Sequence, residues 1–471
     1  MSTPDLISLS LSGRESGPIF MQIHDQIRAR IAAGRIAPGT RLPSSRALAA
    51  DLGLARATVV AAYEQLVAEG YAEARPGAGV FATDAGAMAG VRPPPMVRRS
   101  RPAPPPRPLL LRPGVPDVSL FPAQSWARTV ARVARNEARA LHSCADRFGD
   151  PALRSQIARH LQGWRGIAAE AEQIVITAGS GEALELALEV AGAQAGGVAL
   201  ENPGYGPIRQ FAQSRGWRVL DLAVDREGAV LPEPNAGGAG AVVLTPSHQY
   251  PLGGAMARGR RAGFLARAEA EGFWIIEDDF DSEFRYGGRP IPALAALDTA
   301  GRTIYVGSFS KVFSHGIRLG YMVLPEALVA AARTRLAGAP TRASVVGQRP
   351  LARFIESGTY ARHLRRVRRV YARRYGLLVR VIDAGLAEFG QYGRHNAGMS
   401  LAFHLERGID DQEVVRRARI AGVGCLALSG FAAGKAGVNG LLLGFCETDE
   451  TEIARAVREV WLAVRDVAAA G

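Results

Sequence analysis

The sequence predicts an α/β protein: a small helical unit, a proline-rich linker, then a long domain built on a mostly parallel sheet. Three observations predict it. From residue 113 to residue 471, short apolar runs alternate with helical patterns. Such alternation makes a parallel sheet covered by helices on both faces. Residues 84–112 are dense in proline and arginine. Proline lacks a backbone donor and resists both helix and sheet, so this stretch reads as an extended, semi-rigid spacer. Residues 1–83 carry short helical periodicities and a glycine-rich tip.

In the first unit, PIFMQIHDQIRARIAAG places Ile19, Ile23, Ile27 and Ile31 on one helical stripe. LPSSRALAADLG follows as a short helix capped by Ser44 or Ser45, with Gly53 punctuating the turn. The next helix starts near Arg56 and carries Val59, Tyr63, Leu66 and Val67 toward a core. Two helices joined in this way form a helix-turn-helix, whose second helix presents its N-terminal residues to base edges. ARPGAGVFAT is a glycine-rich hairpin tip that fits a wing.

The long domain starts after the linker. EQIVIT (172–177), VALE (198–201), AVVLTP (241–246), FWIIEDD (273–279), TIYVGSF (303–309) and YMVLP (321–325) read as buried strands. EALELALEV (182–190) and RRAGFLARAEAEG (260–272) read as helices between them. Ligands of such sheets sit beyond the carboxyl ends of the strands. A more mixed tail from about residue 340 points to a smaller C-terminal subdomain.

GSFSKVFSHGIRLGY (307–321) holds one of only two lysines, Lys311 and Lys435. Arginine supplies nearly all other positive charge. An ε-amine can lose its proton and attack an aldehyde, which a guanidinium cannot. Lys311 follows a strand, with Ser308 before it and Arg318 after it, whereas Lys435 sits in GFAAGKAGVNG and reads as a surface residue. A Schiff-base lysine beside a serine and an arginine able to hold phosphate points to pyridoxal 5′-phosphate. That cofactor needs an acid opposite its ring nitrogen, and Asp278 and Asp279 stand at another strand end. In TAGSGEALE, the Ser180 and Gly181 amides fall at a helix N-terminus, a setting that binds phosphate.

The net charge is +13. That excess is compatible with nucleic acid, anionic cofactors or acidic membranes and does not choose among them. The run HLRRVRRVYARRY (363–375) fits a solvated helix face or a subunit contact. No apolar run reaches membrane-spanning length and the N-terminus lacks a secretory signal pattern, so a cytoplasmic protein is expected. Cys144, Cys425 and Cys446 are scattered and lack metal-ligand spacing, so neither metal nor disulfide is expected.

Residues 14–83 resemble the winged helix-turn-helix of GntR-type transcription regulators, through LPSSRALA, RATV, AAYEQLVAEGY and the glycine-rich wing. The resemblance implies that Arg46 and Arg56 contact double-stranded DNA, with Thr58 nearby and Gly77 at the wing tip. Residues 113–471 resemble fold-type I aminotransferases, through ENPGY (201–205), TPSHQYPLG (245–253), IIEDDFDSEFRY (275–286) and SFSKVFSHGIRLGY (308–321). Together the two segments are similar to the MocR/GabR subfamily of GntR regulators. This implies that Lys311 forms the Schiff base, Asp278 meets the pyridine nitrogen and Tyr205 stacks on the ring. It implies that Ser180, Gly181, Ser308 and Arg318 hold the phosphate. Arg209 is a candidate for an effector carboxylate, and Gln249 or Tyr250 for the ring hydroxyl. The resemblance also implies a homodimer that binds two half-sites.

Several positions depart from that pattern. Phe280 stands where a tyrosine is usual and cannot donate its hydrogen bond. Phe148, in RFGDPALRSQI, replaces a tyrosine expected to reach the partner subunit's phosphate. Near LLLGFCETDE, Leu442 and Glu447 align where an arginine usually anchors the substrate carboxylate. An acid there repels a carboxylate. The expected function is therefore a regulator that senses pyridoxal phosphate, or an amine reacting with it, with vestigial or half-transamination activity at most. A working aminotransferase with a tethered DNA-binding module is the alternative, and a cofactor-free scaffold the third.

Overall fold

The computed structural model describes residues 9–12, 17–84, 109–143, 146–192, 196–232, 238–287, 291–393, 395–434 and 437–470. Lys435, Cys144 and most of the predicted linker lie outside the described residues. The chain forms two compact units, Met1–Pro105 and Pro106–Gly471.

In the first unit, α1 (Ile19–Ala32), α2 (Ser45–Leu52) and α3 (Arg56–Ala68) precede a hairpin of β1 (Ala72–Arg75) and β2 (Gly79–Ala82). The α1 stripe buries Ile23, Ile27 and Ile31, while Ile19 packs at the core's margin. Ser44 is the cap of α2, accepting from the Ala47 N–H at 3.1 Å. Gly53 closes that helix at φ 66°, a left-handed conformation that favours glycine. α3 buries Val59, Ala62, Tyr63 and Leu66. Val67 departs from expectation and is exposed, because it falls on the outer side of the helix. The Tyr63 hydroxyl donates to the Pro43 carbonyl at 2.9 Å, tying α3 to the loop before α2.

The second unit contains an eight-stranded sheet in the order β3-β10-β9-β8-β7-β4-β5-β6. Its strands are β3 (Ile174–Thr177), β4 (Val198–Asn202), β5 (Val219–Asp225), β6 (Gly228–Ala229), β7 (Ala241–Leu244), β8 (Trp274–Asp279), β9 (Thr303–Ser308) and β10 (Gly320–Val323). β5, β4, β7, β8 and β9 pair in parallel, and β10 runs antiparallel to both β9 and β3. The reading of YMVLP as a strand therefore holds, with a reversed direction. The 309–319 loop turns the chain back beside β9 instead of crossing over.

β5 escaped the sequence reading because VLDLAVD is only half buried and its apolar positions are broken by acids. Helices Ser180–Val190 and Arg258–Glu271 lie where predicted, and the first buries Ala183, Leu184, Leu186, Ala187 and Leu188. The C-terminal part adds a four-stranded sheet, β11 (Gly390–Tyr392), β12 (Ser400–Leu405), β13 (Leu426–Ala427) and β14 (Gly440–Gly444), in the order β11-β12-β14-β13. The arginine run lies in the helix Thr359–Gly385, with Arg362, Arg365, Arg366, Arg369 and Arg373 exposed. Arg374 instead turns inward and pairs with Asp117 at 2.8 Å.

The predicted linker boundary at residue 112 shifts toward the N-terminus. Leu110 N–H donates to the Gly422 carbonyl and Gly444 N–H to the Leu111 carbonyl, both at 2.9 Å, so this segment is already part of the second unit. Backbone pairing, invisible to composition, holds it there. Among the described residues, no helix is long and apolar enough to cross a membrane.

Candidate cofactor site and candidate DNA-binding surface

Strand register assembles one cluster at the carboxyl ends of the sheet. Gly320 lies opposite Thr177 on one side and Ser308 on the other. Asp278 lies opposite Val306, one strand over. Three residues beyond Thr177 the helix Ser180–Val190 begins, after Gly179 at φ 103°. The first N–H groups of a helix have no intrahelical acceptor and carry partial positive charge. A Cβ at Gly320 would sit 2.6 Å from the Gly179 carbonyl carbon, so only glycine lets β10 approach this turn. The register thereby brings Ser308 and the Ser180–Gly181 amides to one end of the sheet. Arg318, two residues before Gly320, is exposed at φ 50°, an uncommon conformation for a side-chain-bearing residue.

Lys311 caps this cluster. Its Nζ donates to the Gly114 carbonyl at 2.6 Å. Burial lowers its pKa, while Asp281 and Asp278 pull the other way. A partly desolvated amine with a lowered pKa is the form that attacks an aldehyde. Gly114 has φ 68°, and a Cβ on it would stand 2.9 Å from the Lys311 Nζ. This contact was not legible from sequence, because nearly two hundred residues separate its partners.

The two adjacent acids divide by strand alternation, with successive side chains facing opposite sides of the sheet. Asp279 meets Arg165 Nε at 2.8 Å as an ion pair and accepts from the Tyr305 hydroxyl at 2.6 Å. Asp278 is also buried, yet its Oδ1 has no partner. Burial, reinforced by Asp279, Glu201 and Asp281, pushes the Asp278 pKa up to about 8, against a smaller opposing pull from Lys311. A buried carboxylate with an orphaned oxygen fits a cationic N–H ligand. The protonated nitrogen of pyridoxal phosphate is such a group. The donor set fits the whole cofactor: an amine, a lone acid, helix N-terminal amides, a serine and an arginine.

Around this centre the aromatic residues interlock. Tyr205 is 38% exposed and starts the helix Gly206–Ser214. Its ring meets Tyr250 edge-on at 6.1 Å. Burial and then the charge of Asp278 raise its pKa, which puts the two residues within each other's field. Phe280 lies 5.5 Å from the Tyr250 ring and 5.8 Å from the His248 ring.

The structure adds partners to several residues singled out in the sequence. Gln249 is spent on its own turn: Nε2 donates to Glu201, the Pro203 carbonyl and the Tyr250 carbonyl, and Oε1 accepts from Leu252 N–H. That leaves Tyr250 as the candidate for the ring hydroxyl. Arg209 is held by Asp221 at 2.5 Å, so an effector carboxylate must displace an acid to reach it. Glu447 is not a bare repelling charge, because Arg112 grips it with contacts of 2.6 to 3.0 Å. Leu442 is buried in β14. Phe148 is fully buried beneath Arg333, whose guanidinium carbon lies 4.2 Å from the ring centre, so the ring serves packing.

In the first unit, Arg46 at the start of α2 and Arg56 at the start of α3 are both exposed. Arg56 Nε reaches Ser45 Oγ at 3.3 Å, which links the two helix starts. Thr58 is half-buried in the first turn of α3. Gly77 lies at the exposed hairpin tip at φ 74°.

Residues 21–82 match the family described as bacterial regulatory proteins, gntR family, and residues 110–417 match aminotransferase class I and II. The chain is 36% identical over 461 residues to the HTH-type pyridoxine biosynthesis transcriptional regulator PdxR of Corynebacterium glutamicum, covering 96% of this chain and 98% of that protein. It is 33% identical over 450 residues to the probable rhizopine catabolism regulatory protein MocR of Rhizobium meliloti, covering 92% and 91%. Among solved structures, the α-aminoadipate aminotransferase LysN of Thermus thermophilus, complexed with N-(5′-phosphopyridoxyl)-L-leucine, is 27% identical. It matches at a TM-score of 0.69 over 77% of this chain and 93% of that one.

Proposed function

This chain belongs to the MocR-type regulators of the gntR family, which carry an aminotransferase class I and II domain, and from that premise we propose how it works. It is a cytoplasmic, homodimeric transcription regulator that binds double-stranded DNA through its N-terminal unit. Its large unit holds pyridoxal phosphate and senses the cofactor, or an amine that reacts with it. One observation carries the reading: an amine of lowered pKa, Lys311, stands in the field of Asp278, a buried acid with an unpartnered oxygen. Lys311 supplies the nucleophile, Asp278 the counter-charge for the ring nitrogen, and Tyr205 a face for the ring. Ser180, Gly181, Ser308 and Arg318 take the phosphate. The cofactor supplies an aldehyde and an electron-withdrawing ring.

Sensing is favoured over turnover because three arginines that could anchor a carboxylate are already paired with acids. Arg209 pairs with Asp221, Arg112 with Glu447 and Arg374 with Asp117. Repeated binding of amino and oxo acids requires an oriented carboxylate anchor, and each of these would first have to leave an acid. A route for the signal lies in the backbone. An aldehyde bonded to the Lys311 Nζ takes the place of N–H groups there, so its contact with the Gly114 carbonyl must change. Gly114 follows directly on the 110–112 segment that leads in from the linker.

Footprinting on DNA upstream of the chain's own gene, with and without pyridoxal phosphate, tests this. Paired protected half-sites that change with cofactor are expected. No protection at either low or physiological salt overturns the regulator reading. Arg46→Ala and Arg56→Ala each weaken binding in the same assay. A lost phosphate contact lowers the slope of log affinity against log salt by about 0.9. A lost base contact instead relaxes sequence preference by about 1–3 kcal/mol.

A further inference from the structure

Close to the cofactor site, the end of the helix Pro151–Arg165 and the loops after β7 and β8 enclose a cavity of about 100 Å³. Trp164, Arg165, Ser247, His248, Asp281 and Arg285 contribute to its wall. Two N–H groups here, Trp164 Nε1 and Arg285 Nε, are fully buried and meet no acceptor. A buried donor left without an acceptor is costly, so each such group calls for a partner.

The charged groups around the cavity are not evenly paired. Arg165 is paired with Asp279 at 2.8 Å, and His248 with Asp281 at 2.9 Å. Arg285 makes no ion pair among the described residues, and its charge opposes the protonation of His248. Arg285 is thus a guanidinium without a partnering acid, beside two orphaned donors. A cation would offer the orphaned donors no acceptor. A neutral ligand would satisfy the donors and leave the charge. The volume admits only a small group. We propose that this cavity binds a small oxyanion, a carboxylate or an inorganic phosphate, held by Arg285 and Trp164. Guanidinium and indole N–H groups both donate, and the planar guanidinium matches a carboxylate or phosphate edge. The site is linked to the cofactor centre through Asp281, which lines the cavity and lies within Coulombic reach of Lys311.

The test uses the full chain loaded with pyridoxal phosphate, so that added phosphate cannot be taken up by the cofactor's own cradle. Sodium formate and sodium phosphate are titrated against sodium gluconate at matched ionic strength. Melting temperature and tryptophan fluorescence are followed. A ligand that binds only the folded state raises its stability by mass action. A saturable response to formate assigns a carboxylate site, and one to phosphate alone assigns an inorganic phosphate site. Gluconate, too large for the cavity, gives none. Arg285→Gln raises the half-saturating concentration at least tenfold, and Trp164→Phe about threefold, which serves if the arginine variant does not fold. Identical, non-saturating responses to all three salts in the parent protein overturn the proposal. So does a saturable response that survives unchanged in a folded Arg285→Gln protein. The formate arm can be run without cofactor, so failure of the cofactor reading leaves this test intact.

Discussion

Lys311→Ala protein loses its visible absorption band with pyridoxal phosphate and releases the cofactor on dialysis, and Lys311→Arg behaves the same way. The second variant is the sharper one. It keeps the positive charge near Asp278 and Asp281, which both act on Lys311, and removes only the nucleophile. The cradle amides, Ser308, Arg318 and Asp278 remain, so weak reversible binding persists. Apparent affinity falls at least about a hundredfold, equal to about 2.8 kcal/mol. Absorption spectra and equilibrium dialysis measure both effects. DNA binding that no longer changes with cofactor in either variant ties the covalent bond to the signal. Arginine restoring a cofactor-dependent footprint would reduce Lys311 to a charge and remove the covalent bond from the sensing mechanism. An unchanged footprint in parent and variants alike, with no visible band in the parent, leaves the cofactor-free scaffold standing.

The chemistry of this site was legible in the sequence where it depended on local context, and hidden where it depended on distant partners. Lys311 stood out because the chain otherwise uses arginine, and Ser308 and Arg318 share its loop. Ser180 and Gly181 were readable because a strand-to-helix turn dictates free amides. The choice between Asp278 and Asp279 was different. Spacing offers both, and the family resemblance favours Asp278. The physical reason appears only in three dimensions, where Arg165 and Tyr305 claim Asp279 and leave an Asp278 oxygen bare.

The same limit applies to Glu447 and Arg209. Each looks like an isolated charge in the sequence, and each has a partner that sequence distance or strand pairing conceals. Arg112 reaches Glu447 across the fold, and Asp221 comes beside Arg209 from the neighbouring β5. The acid-broken pattern of VLDLAVD does not signal a strand, so sequence alone does not place its acid. The α1–α3 unit was the more readable half, since its core follows a helical stripe and its caps are local: Ser44 and Gly53 do what their residue types predict. Val67 was the exception, for periodicity alone does not say where a helix face stops being covered.

Asp278→Asn has opposite effects on two properties, and that pairing identifies the role of the acid. In the cofactor-free protein, the folded-state pKa of Asp278 is raised from 3.8 to about 8, chiefly by burial. The folded protein therefore holds this proton more tightly than the unfolded chain does. Stability from this group is complete below pH ~4 and is lost as pH rises toward about 8, on the order of 5 kcal/mol in all. Asparagine carries no charge to desolvate. The variant's melting temperature should exceed the parent's by a margin that widens from pH 5 to pH 8 and then levels off, reaching several degrees, because the shift per kcal/mol in a chain of this size is below the ~2–4 °C of smaller domains. Its affinity for pyridoxal phosphate should fall at the same time, because a neutral amide cannot hold the ring nitrogen protonated. Melting curves across that pH range and cofactor titrations measure the two effects. A variant less stable than the parent at every pH would mean that Asp278 is a structural acid. Unchanged cofactor affinity would mean that the ring nitrogen does not face it. Gain of stability with loss of binding is the signature of a carboxylate kept buried and unpaired for a ligand.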